Sequence, residues 1–177
     1  MDATGTVGHH YRRSRERLTA LLGDTATADL DRPVAACPGW SVRDVLAHLV
    51  GTVEDALAGR LTGIPTDEQT AAQVAARRGV APETLLATWA AAAPAFEDVV
   101  SGLSVWPAAI DAVSHEHDIR HALGRPGFRD DPSVVHLAGL MAGAIEAPAA
   151  VTVDYGAGSV TGGDPEGEPI TLTTTAF

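Results

Sequence analysis

Apolar positions recur along this chain with two different periods. Over residues 8 to 22 the period is helical, with Leu18, Leu21 and Leu22 on one side and several arginines on the other. A polar link follows and closes on the turn-rich run Cys37-Pro38-Gly39-Trp40. Ser41 then reads as a helix N-cap, with Asp44 three residues on in a capping-box position. The second helix runs to about Leu61, with Val42, Val45, Leu46, Leu49, Val53 and Ala56 as its apolar stripe. Residues 62 to 82 are broken by Gly63, Pro65, Gly79 and Pro82 and admit only a short helix over 67 to 78. A third helix opens on Pro82 and runs to about residue 102, with Pro94 predicted to kink it. Pro107 opens a fourth, ending near Gly124 as a C-cap, and Asp131-Pro132 opens a fifth over 132 to 147.

After residue 150 the period changes to two. The runs 151 to 155 and 170 to 174 alternate as strands do, and the Gly- and acid-rich stretch between them predicts a hairpin loop. Two strands alone make a marginal sheet, so this segment is expected to pack on the helices or to begin a second α/β domain. The expectation is a mainly α protein. An antiparallel bundle over residues 1 to 150 packs its second and fourth helices together, and a β-hairpin-like segment follows over 151 to 177.

Composition narrows the functional classes. Aromatics are 5% of the 177 residues, so Ala, Leu and Val must fill the core, which favours closely packed helices. The net charge of -11 comes with no lysine and no basic stripe, which argues against nucleic acid or an anionic membrane as partner. The most apolar stretches are interrupted by Pro94, Glu146 and Pro148, so none is clean enough to span a bilayer. The N-terminal residues lack an apolar signal region. Cys37 is the only cysteine, which rules out an intramolecular disulfide and fits a cytoplasmic setting.

The candidate chemistry lies in the His-rich stretch from Asp111 to His121. At about 100° per residue, Asp111 and His115 fall roughly 40° apart, one turn above the other, beside Ala108, Ala112, Ile119, Ala122 and Leu123. His117 and His121 pair on the roughly opposite side and are expected to face solvent and to be more exposed than His115. On the second helix His48 borders the apolar stripe near Thr52, where it can point between helices. A carboxylate and a histidine at i and i+4, with a third ligand from a neighbouring helix, suit zinc with an open coordination position; iron, nickel or manganese accept the same donors. Two plainer readings stay open: a surface hydrogen-bonded Asp–His pair, and a satisfied histidine between helices.

The run Cys37-Pro38-Gly39-Trp40-Ser41-Val42-Arg43-Asp44-Val45-Leu46-Ala47-His48-Leu49 resembles the signature of the mycothiol-dependent maleylpyruvate isomerase family. Asp111, His115 and Asp118, followed by Ala122-Leu123-Gly124, resemble that family's second motif, an acid-x-x-x-His-x-x-Asp run before Ala-Leu-Gly. The resemblance covers about residues 8 to 150. It implies a DinB-like metal-binding four-helix bundle, with His48, Asp111 and His115 as metal ligands. Asp111 stands where the family more usually has Glu, one methylene longer. The family's isomerase site also draws on a second domain, of which residues 151 to 177 would be the beginning.

Two functions follow from the resemblance. One is an isomerase or thiol transferase in which the metal binds mycothiol or a similar low-molecular-weight thiol and the thiolate attacks an electrophilic small molecule; a homodimer is compatible with it. The other is a non-catalytic metal-binding module, a sensor or accessory protein. The remaining residues are expected to be structural. Cys37 sits in a turn without a sequence-local base, and Trp40 acts as a hydrophobic staple. Asp118 orients a histidine or is solvated. Gly156-Ala157-Gly158 is not a phosphate loop, since no helix clearly follows, and His9 and His10 lie where the chain frays.

Overall fold

A computed structural model describes residues 5 to 154 and 158 to 173. Six helices and a small sheet follow in order: α1 (Val7–Gly23), α2 (Val42–Leu57), α3 (Asp67–Arg77), α4 (Pro82–Gly102), α5 (Trp106–Leu123), α6 (Pro132–Gly143), β1 (Ala149–Asp154), β2 (Ser159–Gly163) and β3 (Glu168–Thr173). The protein is mainly α with a short β segment, as its periodicity predicts. None of the described helices is long and apolar enough to cross a membrane.

Local chemistry sets the helix ends. Ser41 Oγ accepts from the Asp44 amide while Asp44 Oδ2 accepts from the Ser41 amide, the reciprocal capping box expected at α2. Thr66 and Gln69 repeat the device at α3. Pro82 starts α4, and Gly124 closes α5 in a left-handed C-cap. Pro94 stays inside α4, which is continuous from Pro82 to Gly102.

The contacts divide the chain into two compact units, one ending at Pro126 and the other beginning at Gly127. The principal contacts of α6 are with β2. In the first unit α1 packs on α4 and α5, while α2 packs on α3, α4 and α5. Leu18, Leu46, Leu49, Trp89 and Ile119 are fully buried between these helices. The arginines of α1 do not simply face water. Arg12 and Arg15 reach Glu97 of α4 at 2.6 and 3.0 Å, and Arg17 reaches Glu116 of α5 at 2.6 Å. His9 and His10 lie within α1 rather than in a frayed end. Thr6 caps the helix by accepting from the His9 amide, and His10 is buried with its ring centroid 5.8 Å from that of Trp106.

In the second unit the sheet order is β2-β1-β3. β1 pairs antiparallel with β2 and parallel with β3, so the two strands read from the sequence are not joined as a hairpin. The antiparallel partner of β1, β2, comes from the stretch expected to be a loop. There the β-branched Val160 and Thr161 outweigh the flanking glycines. The expected strand ends at Tyr155 and Thr174, and most of the Gly156-Ala157-Gly158 run, lie outside the described residues.

Candidate metal centre

Four segments of the first unit meet at an open cleft of about 540 Å³, lined by Cys37, Pro38, Trp40, His48, Ile64, Pro65, Asp67, Thr70, Asp111 and His115. The Cys37–Trp40 turn forms its near wall. Trp40 N donates to Cys37 O at 2.9 Å, and Gly39 has φ +86° after Pro38, the backbone of a type II turn that only glycine adopts without strain. Trp40 N and O are both engaged, since Val34 N donates to Trp40 O at 2.9 Å. This holds the indole with its ring centroid 5.5 Å from that of His48. Trp40 is thus a wall of the cleft, a role its sequence position before a helix cap did not reveal.

The structure brings His48, Asp111 and His115 together. His48 Nε2 lies 3.5 Å from Asp111 Oδ2, and His115 Nε2 lies 3.5 Å from Asp111 Oδ1. One ligand atom from each of the three lies within 4.8 Å of the others. Zinc bonds of about 2.0 to 2.2 Å in a tetrahedron separate neighbouring ligand atoms by roughly 3.4 Å, close to each of the two 3.5 Å spacings, which end on different oxygens of Asp111. The side chain of His48 is buried, whereas that of Asp111 is 37% exposed and opens the group towards solvent.

The outward nitrogens of the two imidazoles are also engaged. His48 Nδ1 lies 3.0 Å from Gln73 Oε1, and His115 Nδ1 lies 3.2 Å from Asp118 Oδ2. A proton held at each Nδ1 by these acceptors would leave the Nε2 lone pairs facing the cleft, the arrangement that metal-binding histidines require. Of the two roles open to Asp118, the structure shows the orienting one. Burial disfavours the charged form of His115, but the Asp118 hydrogen bond and the charges of Asp111 and Asp118 outweigh it and hold its pKa above the ordinary value.

A second set of donors overlaps the first: Cys37, His115 and Asp118. Cys37 Sγ lies 3.9 Å from His115 Nδ1. That nitrogen already faces the closer Asp118 carboxylate. Burial, and then the charges of Asp118 and Asp111, push the Cys37 thiol upward, away from the thiolate that binds metal.

His121 is exposed as expected, but His117 is buried. An adjoining side of α5, that of Ala112 and Glu116, packs on α1. There Glu116, fully buried, accepts from Ser14 Oγ at 2.9 Å, from Arg17 Nη2 at 2.6 Å and from Arg120 Nε at 3.0 Å. Such a cluster has no periodicity of its own. Four charged or polar residues that hydrogen-bond one another look, in sequence, like a solvated face.

Neither the comparison with curated proteins nor that with solved structures returned a match. The family model described as the mycothiol maleylpyruvate isomerase N-terminal domain matches residues 11–114. The matched span includes His48 and Asp111 and stops one residue short of His115. Covering more than half of the chain, it shows that this protein belongs to the mycothiol maleylpyruvate isomerase N-terminal domain family.

Proposed function

We propose that the protein binds one divalent metal ion, zinc first among the candidates, through His48, Asp111 and His115, and presents there a low-molecular-weight thiol to an electrophilic small molecule. The observation that carries this reading is the convergence of two Nε2 atoms on the two oxygens of Asp111 at 3.5 Å each, with both Nδ1 atoms turned to acceptors. The family name points to mycothiol as the thiol. A bound divalent cation favours the thiolate over the thiol and so supplies a nucleophile at neutral pH without a protein cysteine.

The chain's own residues do the rest. His48, Asp111 and His115 supply three donors and leave one side of the group open to the cleft. Pro38, Trp40, Ile64 and Pro65 offer apolar surface to the body of a ligand. Asp67 and Thr70 offer hydrogen-bonding groups on the same cleft. Asp118 holds the His115 ring in register through Nδ1.

The test is a titration of mycothiol into cobalt-substituted protein. A sulfur-to-cobalt charge-transfer band that saturates with thiol is the expected result. Cobalt uptake without that band at saturating thiol overturns the thiol half and leaves a metal-binding module. Failure to take up cobalt or zinc at all, by elemental analysis, overturns the metal site.

A further inference from the structure

α3 sends one buried polar side chain towards α2, that of Gln73, which is 2% exposed. Its Oε1 lies 3.0 Å from His48 Nδ1 and accepts from Thr52 Oγ1 at 3.3 Å, while its Nε2 donates to Asp55 Oδ2 at 2.9 Å. Asp55 Oδ1 in turn accepts from Arg60 Nε and Nη2 at 2.8 and 2.6 Å. A hydrogen-bonded chain thus runs from the exposed Arg60 through Asp55 and Gln73 to His48.

The direction of this chain is fixed by chemistry. An ionised carboxylate can only accept, so Asp55 must face the amide NH₂ of Gln73. The amide oxygen is then the atom presented to His48, and an oxygen there can only accept. Reversing the amide would set its oxygen against the Asp55 carboxylate, two acceptors with no proton between them. The close seat of α3 on α2 depends on Gly51. A Cβ there would lie 2.7 Å from Gln73 Cβ and 2.9 Å from Arg77 Nη1. Arg77 also ties the helices together, donating from Nε to Glu54 of α2 while its Nη1 donates to the Gln73 carbonyl of its own helix.

We propose that Gln73 is a positioning residue for His48: anchored by Asp55, its amide oxygen holds the His48 proton on Nδ1 and leaves the Nε2 lone pair facing Asp111. The role as metal positioner rests on the metal site proposed above, but the proton's place does not. Gln73 lies outside both sequence motifs that carry the family resemblance. It does for His48 what Asp118 does for His115, with a neutral oxygen in place of a carboxylate.

The experiment reads the tautomer directly. Long-range ¹H–¹⁵N correlation spectra of metal-free protein, recorded above the histidine titration range, should show His48 protonated on Nδ1 in the wild type. Gln73→Leu should shift the population towards Nε2–H and lower zinc affinity about 10- to 100-fold, with the helical circular dichroism unchanged. The double variant Gln73→Glu with Asp55→Asn reverses the polarity of the anchor, because the new amide NH₂ can donate to the new carboxylate. It should restore both the Nδ1–H tautomer and most of the affinity, which a merely space-filling role for Gln73 would not predict. Wild-type His48 protonated on Nε2 overturns the inference, as does a Gln73→Leu protein with tautomer and affinity both unchanged. A wild type that takes up no metal overturns the metal reading and the positioning role with it. The tautomer still tests the hydrogen-bond chain separately.

Discussion

Cys37 Sγ lies 3.9 Å from Nδ1 of His115, 78 residues further along the chain. The turn before α2 has brought the protein's one thiol to the edge of a candidate metal group. Its surroundings nonetheless work against a thiolate, because burial and the carboxylates of Asp118 and Asp111 all push its pKa up. Cys37→Ser should therefore retain one metal per chain and bind thiol as the wild type does. Elemental analysis and the cobalt spectrum check this, and loss of metal in the serine variant would move Cys37 into the ligand set.

Substitution of any one of His48, Asp111 or His115 by Ala should reduce metal content well below one per chain. His121→Ala, at an exposed position of the same helix, should leave it unchanged. Asp111→Glu should keep the metal, since the carboxylate is partly exposed and the cleft beside it is open. Retention in His115→Ala with loss in His121→Ala would show that the other face of α5 holds the ion.

Glu116 is expected to govern stability rather than chemistry. It is fully buried with Ser14, Arg17 and Arg120 as partners. Removing one member of a buried ion cluster typically costs about 3 to 5 kcal/mol, because the remaining charges stay desolvated. Glu116→Ala should lower the free energy of urea unfolding by about that amount. A loss below about 1 kcal/mol would mean that the arginines find water.

Acid should act on the Gln73 anchor. Desolvation raises the Asp55 pKa, but hydrogen bonds from Gln73 and Arg60 and the charges of Arg60 and Arg77 outweigh it, so the folded value lies below the ordinary 3.8. A depressed carboxylate contributes stability above its unfolded pKa and loses it as pH falls through the folded pKa. Wild type should therefore exceed Asp55→Asn in stability at neutral pH, and the gap should close as pH drops below about 4. Urea midpoints measured across that range check it; a gap independent of pH would remove the Asp55 charge from the account.

Much of this is legible in the sequence. The capping pair Ser41 and Asp44 marked the start of α2, and Gly124 marked the end of α5. Helical spacing placed Asp111 and His115 on one side, and His48 at the border of an apolar stripe. What spacing could not give was the second neighbour of each helix. Glu116 is buried because α5 is packed on α1 as well as on α2. Gln73 reads as one more polar residue on a short helix until α3 is seated against Gly51. Strand direction was equally hidden, since alternation in Val151–Val153 and Ile170–Leu172 is the same whether the strands run parallel or antiparallel.

Of the 11 residues of α3, only Gln73 and Val74 are buried. A helix with so little apolar anchorage opens far more often than the molecule unfolds. Asp67 and Thr70 of the same helix line the cleft, so each opening would both widen the entrance and release His48 from its acceptor. The residence time of a bound ion would then be set by α3 rather than by the strength of its own bonds. Amide exchange along Asp67–Arg77 and the rate of metal release to a chelator should slow or quicken together.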